Sequence, residues 1–256
     1  MNVVFLTTDD PIYLPAFFDS VLAEYGTQTR AVFAVPPLYK NQSTLQAARR
    51  YWQTFGTEGV TGLGVRVARA KLRRQSIGAV CRRRNVRYGE ASDVNAPEFV
   101  DELRRLSTDL IVSVSCPQIF RRPLIELPDH GCLNIHGAIL PEYRGVMPSF
   151  WMLANSERQA GVSIYFVNEQ IDAGELCAQR TFDIMRDESL DEFIQRSKAI
   201  AAELLLEVLP QIESGTLART QLDLEQGSYY SWPDREAVAR FRASGRRLWR
   251  RSRSRA

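Results

Sequence analysis

Residues Asn2–Val35, NVVFLTTDDPIYLPAFFDSVLAEYGTQTRAVFAV, decide the fold. The run Asn2–Leu6 (NVVFL) is short, continuous and apolar, the pattern of a parallel strand buried on both faces. Thr7–Asp10 follow as a loop with helix-capping side chains. From Pro15 to Tyr25 the apolar residues Phe17, Val21, Leu22 and Tyr25 recur near helical spacing, and Thr29–Val35 reads as a second strand. Strand, helix and strand in that order predict an α/β protein with a Rossmann-like, doubly wound, mostly parallel sheet and helices on both of its faces. The segment lacks G-x-G-x-x-G, so a nicotinamide dinucleotide loses its main support.

Outward from there, Pro36–Asn85 reads as two or three helices. Tyr51, Trp52, Phe55, Leu63, Val67 and Leu72 are its candidate buried face, interleaved with Arg49, Arg50, Arg66, Arg69, Lys71, Arg73 and Arg74. Such interleaving fits a positive wall for an anionic substrate, or a solvated surface whose long basic side chains cover apolar flanks. Ala96–Leu106 is an amphipathic helix with a proline near its first turn, and Leu110–Val114 and Gly131–Ile135 are further core strands. Val162–Phe166 and Leu176–Ile184 read as an antiparallel pair. Ser189–Leu209 is a long helix that Pro210 is expected to stop, Thr216–Leu224 alternates like a strand, and Asp234–Ser244 is a basic helix. The expected organisation is a catalytic domain over 1–214 and a short C-terminal extension over 215–256 ending in an Arg-rich tail.

The chemistry gathers between Leu133 and Asp172. Asn134 and His136 lie two apart at the end of an apolar strand, so period-2 alternation points both to one side. Asp172 follows the next apolar strand, just before the turn signal Ala173-Gly174. An amide, an imidazole and a carboxylate at strand ends can converge in space. These residues carry a resemblance. N-I-H at 134–136, L-P-E-Y-R-G at 140–145 and Q-I-D-A-G at 170–174 together resemble the folate-dependent formyltransferase family, which includes methionyl-tRNA, glycinamide ribonucleotide and amino-sugar formyltransferases. The resemblance covers roughly Ala91 to Phe182. Where many members carry Ser in S-L-L-P, this chain has Ala138-Ile139-Leu140-Pro141, which removes any hydroxyl role there.

The resemblance implies Asn134, His136 and Asp172 as catalytic residues and 10-formyltetrahydrofolate as co-substrate. It places the pterin between the turn Gln118-Ile119-Phe120 and the loop Val167-Asn168-Glu169-Gln170-Ile171. It implies a primary amine as acceptor, most readily an amino sugar on a nucleotide. The compact length, without room after the long helix for the barrel domain of full-length methionyl-tRNA formyltransferases, favours that acceptor, and the segment SYYSWPDREAVARFRASG resembles sugar enzymes more weakly. Methionyl-tRNA is the alternative acceptor. Glycinamide ribonucleotide ranks lower, because Pro36–Asn85 does not look like its phosphate loop, and a hydrolase remains a further reading. A homodimer is compatible with the class.

Hydrophobic content of 45% and charged content of 25% suit a globular protein, and no stretch reads as a membrane span or secretory signal. A cytoplasmic location follows as the expectation. The cysteines Cys81, Cys116, Cys132 and Cys177 form no C-x-x-C pair, so reduced thiols and no metal site are expected. Net charge is +3, yet Arg240–Ala256 holds eight arginines and no acid, which leaves the remainder net acidic. A solvated tail is the plain reading of that asymmetry. A non-enzymatic nucleic-acid-binding protein that uses the tail is the alternative from another class.

Overall fold

Strand β1 (Val3–Thr7) lies inside the sheet, with a strand on either side, as its unbroken apolar sequence requires. The computed structural model describes residues 1–36 and 44–250. Residues 37–43 of the basic helical region and the tail arginines Arg251, Arg253 and Arg255 lie outside the described residues. The chain runs through α1 (Leu14–Tyr25), β2 (Thr29–Ala34), α2 (Thr44–Leu72), α3 (Ile77–Arg83), β3 (Arg87–Glu90), α4 (Pro97–Arg105), β4 (Leu110–Val114), α5 (Arg122–Ile125) and β5 (Cys132–His136). It continues through β6 (Arg144–Gly145), α6 (Pro148–Ala154), β7 (Gln159–Phe166), β8 (Leu176–Asp183), α7 (Leu190–Glu213), β9 (Tyr229–Tyr230) and α8 (Arg235–Ala243).

Seven strands form one sheet in the order β3-β2-β1-β4-β5-β7-β8. Pairing is parallel from β3 to β5 and antiparallel from β5 to β8. Strand order reverses at β1 and β4, and the crevice beyond their carboxyl ends is where an open α/β sheet binds ligands. Alternate side chains feed two cores. Val3 and Phe5 pack with α1, α3 and α7, whereas Val4 and Leu6 pack with α4 and α5. Helices therefore cover both faces, as the opening residues predict.

A third cluster lies beside the crevice. Phe55 of α2, Phe150 and Trp151 of α6, Phe193 of α7, Phe241 of α8 and Leu248 are buried together there. Residues 215–250 thus share a core with the preceding chain. Phe241 is 1% exposed, with its ring 5.1 Å from that of Phe150. Phe241→Ala is expected to cost about 3–5 kcal/mol in urea unfolding. A cost below about 1 kcal/mol, the range of surface substitutions, would mean that the extension unfolds separately from the sheet.

Several sequence expectations need correction. Thr216–Leu224 is no strand: Thr220 alone makes a bridge, to Leu176, and Leu224–Gln226 is a 3-10 turn. Its alternation finds no buried face to fill, since most of the segment is exposed. Helix α7 runs through Pro210 to Glu213. Proline's φ suits a helix, and Leu209 and Ile212 continue the buried face past it. Helix α2 is two helices merged at Gly56 (φ 73°), a backbone angle that favours glycine. Of its expected buried face, Phe55 is fully buried, whereas Trp52 and Leu72 are exposed.

Candidate active site

Strand β5 ends in the crevice and carries Asn134 and His136, with the buried Leu133 and Ile135 fixing which way it faces. Opposite it in the antiparallel ladder, Asn134 pairs with Tyr165 and His136 with Ser163. Asp172 follows β7 in a left-handed backbone conformation (φ 48°). The three expected residues come together. His136 Nδ1 is 3.6 Å from Asp172 Oδ1. On the other side of the ring, Nε2 lies 2.8 Å from the carbonyl oxygen of Tyr143, which accepts only, so Nε2 bears a proton. Nδ1 is left to face the carboxylate and the cavity.

Tyr165, which the sequence reading passed over, joins the amide to the acid. Asn134 Nδ2 donates to the Tyr165 hydroxyl at 2.9 Å, and that hydroxyl donates to Asp172 Oδ1 at 2.7 Å. Burial, with the adjacent Asp172 carboxylate, pushes the Tyr165 phenol well above its ordinary value, so it stays a proton donor. The Gly145 N–H donates to Asp172 Oδ2 at 2.7 Å. Both carboxylate oxygens are held, and one Asn134 amide hydrogen remains for a ligand. Tyr165→Phe should leave folding intact and lower kcat more than it raises KM, by about tenfold for one lost charge-assisted hydrogen bond. Unchanged kcat would assign the hydroxyl a packing role.

The surrounding loops are tightly specified. Ser163 Oγ donates to the Ala138 carbonyl and accepts from the Leu140 N–H, pinning the turn where the family serine is absent. Ser115 and Met147, both with positive φ, border the same space as Asp172. Non-glycine residues held in that conformation cost of order 1 kcal/mol each or more, and they gather at functional sites.

Two cavities meet at these residues. One, about 590 Å³, is lined by Gln118, Ile119, Phe120, Val167, Asn168, Gln170 and Ile171, with Arg50, Tyr229 and Trp232 at its far side. The other, about 320 Å³, is lined by His136, Ser115, Ser149, Ser197, Lys198, Leu190 and Ile194. Cys116, Asn134, Gly145 and Asp172 form a wall common to both. Burial pushes the Cys116 thiol up to about 11, which makes it a poor nucleophile. Among the described residues, no group of three or more His, Cys, Asp or Glu could hold a metal ion.

The larger cavity contains the expected pterin segments, with one exception. Glu169 does not line it, because this exposed residue lies at the outer bend of the loop. Two other side chains line the cavity but spend their polar atoms on the protein. Gln118 accepts from the Val94 N–H and donates to the Ser92 carbonyl, and Asn168 bonds Ala173 and Gln170. What the cavity offers a flat heterocycle is backbone polarity between apolar side chains. Ile119 and Ile171, both exposed, supply the apolar part together with the buried Phe120.

The family model described as formyl transferase matches residues 1–209, and the chain belongs to that family. It is 38% identical over 130 residues to a methionyl-tRNA formyltransferase of Geobacter metallireducens, a match covering 51% of this chain and 42% of that protein. The chain thus spans less than half the length of that relative. Its fold resembles an N-formyltransferase of Helicobacter canadensis, solved with folinic acid and dTDP-3-aminofucose, at 16% identity and a TM-score of 0.60, covering 90% of this chain and 71% of the other. It also resembles a glycinamide ribonucleotide transformylase of Symbiobacterium toebii at 14% identity and a TM-score of 0.61, covering 87% and 94%.

Proposed function

We propose that the protein transfers a formyl group from 10-formyltetrahydrofolate to a primary amine, most readily that of an amino sugar carried on a nucleotide. The observation that carries the reading is the common wall: the Asn134 amide and the Asp172 carboxylate stand between the two cavities, and the His136 imidazole lines the smaller one beside Asp172. The larger cavity fits the folate, since its backbone groups and isoleucines suit a pterin between two loops. Bound there, the folate supplies an activated formyl carbon on N10; that C–N bond breaks as the bond to the acceptor forms, N10 gains a proton and the amine loses one.

The residues then have distinct tasks. Asn134 offers its free amide hydrogen to the formyl oxygen as charge develops there, a donor of the kind typically worth about 3–4 kcal/mol. His136 Nδ1, when protonated, is the second donor and can return its proton to the leaving nitrogen. Asp172, held by Tyr165 and Gly145, receives the amine proton directly or through water.

Similar proteins support different acceptors. The sequence relatives include methionyl-tRNA formyltransferases, and the solved structures include sugar N-formyltransferases that match 90% of this chain. The hydroxyls of Ser115, Ser149 and Ser197 around the smaller cavity suit a polyol better than a methionyl side chain. The test incubates the protein with 10-formyltetrahydrofolate and either amino-sugar nucleotides or methionyl-tRNA, and follows a one-formyl mass gain. An amino-sugar nucleotide should be modified; modification of methionyl-tRNA alone would reverse the choice of acceptor, and no modification of any amine would remove the activity.

A further inference from the structure

We infer that Lys198 is an oxyanion subsite in the smaller cavity, so that the acceptor carries a phosphate or carboxylate close to the amine that is formylated. This rests on the proposed reading only in taking that cavity as the acceptor's.

Lys198 projects from the middle of α7 into the cavity that also holds His136 and Asp172. Its ammonium donates to Ser115 Oγ at 2.7 Å. Among the described residues it has no carboxylate within 4 Å, so two of its three donors lack a protein partner. Ser115 holds its position at the end of β4 in a left-handed conformation (φ 54°). A half-buried cation in this setting is costly unless something arrives to pair with it.

The charged and titratable neighbours do not fill that need. Asp10, on the loop from β1 to α1, does not line the cavity, and its Oδ1 already accepts the N–H groups of Ile12 and Tyr13. Burial raises the Asp10 pKa, with the Lys198 charge acting against it, and no ion pair within 4 Å joins the two groups. Asp172 is held by Tyr165 and Gly145, His136 is bonded to Tyr143, and the Cys116 thiol remains neutral. Burial also lowers the Lys198 pKa to about 8. Lys198 is therefore mostly charged at pH 7 and mostly neutral above pH 9, and oxyanion affinity should fall as pH rises through that range. A lysine suits such a site because it binds phosphate as a compact point charge. Lys198 lines the same cavity of about 320 Å³ as Asn134, His136 and Asp172, so an oxyanion held there lies in one small chamber with the reacting groups.

The experiment uses the full chain and no turnover, so it stands or falls apart from formyl transfer. Calorimetric titrations with inorganic pyrophosphate and with malonate, from pH 7 to pH 9.5, separate a phosphate from a carboxylate. For at least one of these probes, affinity should fall at least tenfold over that range. Lys198→Met should weaken the same probe at least tenfold at pH 7 and abolish the pH dependence. Lys198→Arg, which stays charged, should retain binding without the pH dependence. Both variants should bind 5-formyltetrahydrofolate as the wild type does, which confirms that they are folded. Absence of binding by both probes, equal affinity in Lys198→Met, or a wild-type pH dependence in Lys198→Arg would overturn the subsite.

Discussion

Asp172→Asn is expected to slow formyl transfer by about 10²–10⁴-fold, the range for a lost proton acceptor beside stabilising donors. The substitution keeps size and shape, so the effect isolates charge and hydrogen bonding. Asn134 donates to the Tyr165 hydroxyl, whose own proton must therefore go to residue 172. The Gly145 N–H also needs an acceptor there. A carboxylate satisfies both; an amide has one acceptor and turns its NH2 toward either Tyr165 or Gly145. The replacement also removes the charge 3.6 Å from His136 Nδ1 and, with it, the proposed acceptor of the amine proton. Single-turnover rates measure the loss, with folate affinity as the control for folding. A near-normal rate at unchanged folate affinity would mean that Asp172 is not part of the chemistry.

Removing residues 246–256 should lower stability by about 3–5 kcal/mol, the scale of losing one large core side chain together with two helix-end partners. The melting temperature would fall by roughly 10 °C. Helix α7 begins with N–H groups that have no partner inside the helix. Leu190 N–H donates to the Arg247 carbonyl and Asp191 N–H to the Leu248 carbonyl, while Ser189 caps Glu192. Leu248 is buried in the cluster beside the crevice. The Trp249 indole donates to the Glu58 carbonyl and lies under the Arg66 guanidinium, which itself grips Asp191. Arg246 bonds the Met185 carbonyl and Arg250 pairs with Glu192. Cutting after Arg250 should be nearly neutral by comparison. Equal melting temperatures for the two truncations would show that residues 246–250 do not hold the fold.

The parts of this molecule that depend on local pattern were legible in the sequence. An unbroken apolar run marks β1 as lying inside the sheet, and period-2 spacing brings Asn134 and His136 to one side. What escaped depends on contacts between distant segments. Tyr165 looks like any strand aromatic until the register sets it opposite Asn134, and no local signal fixes that register. Lys198 looks like a solvated helix position until α7 packs against α1, β7 and β8 and brings it to Ser115 after β4. The tail arginines look like a charged surface because composition does not reveal that the backbone carbonyls of Arg247 and Leu248 cap a helix. Thr216–Leu224 shows the opposite failure: strand-like alternation exists, but no buried face receives it.

The common wall has a consequence for how such a protein changes over time. The loops after β4 and β7 contribute much of the larger cavity's lining, while α7 residues face only the smaller cavity. Drift along one helix can therefore reshape the smaller cavity while the larger one keeps its lining. Divergent acceptors can then share a single donor without the chemistry being invented anew.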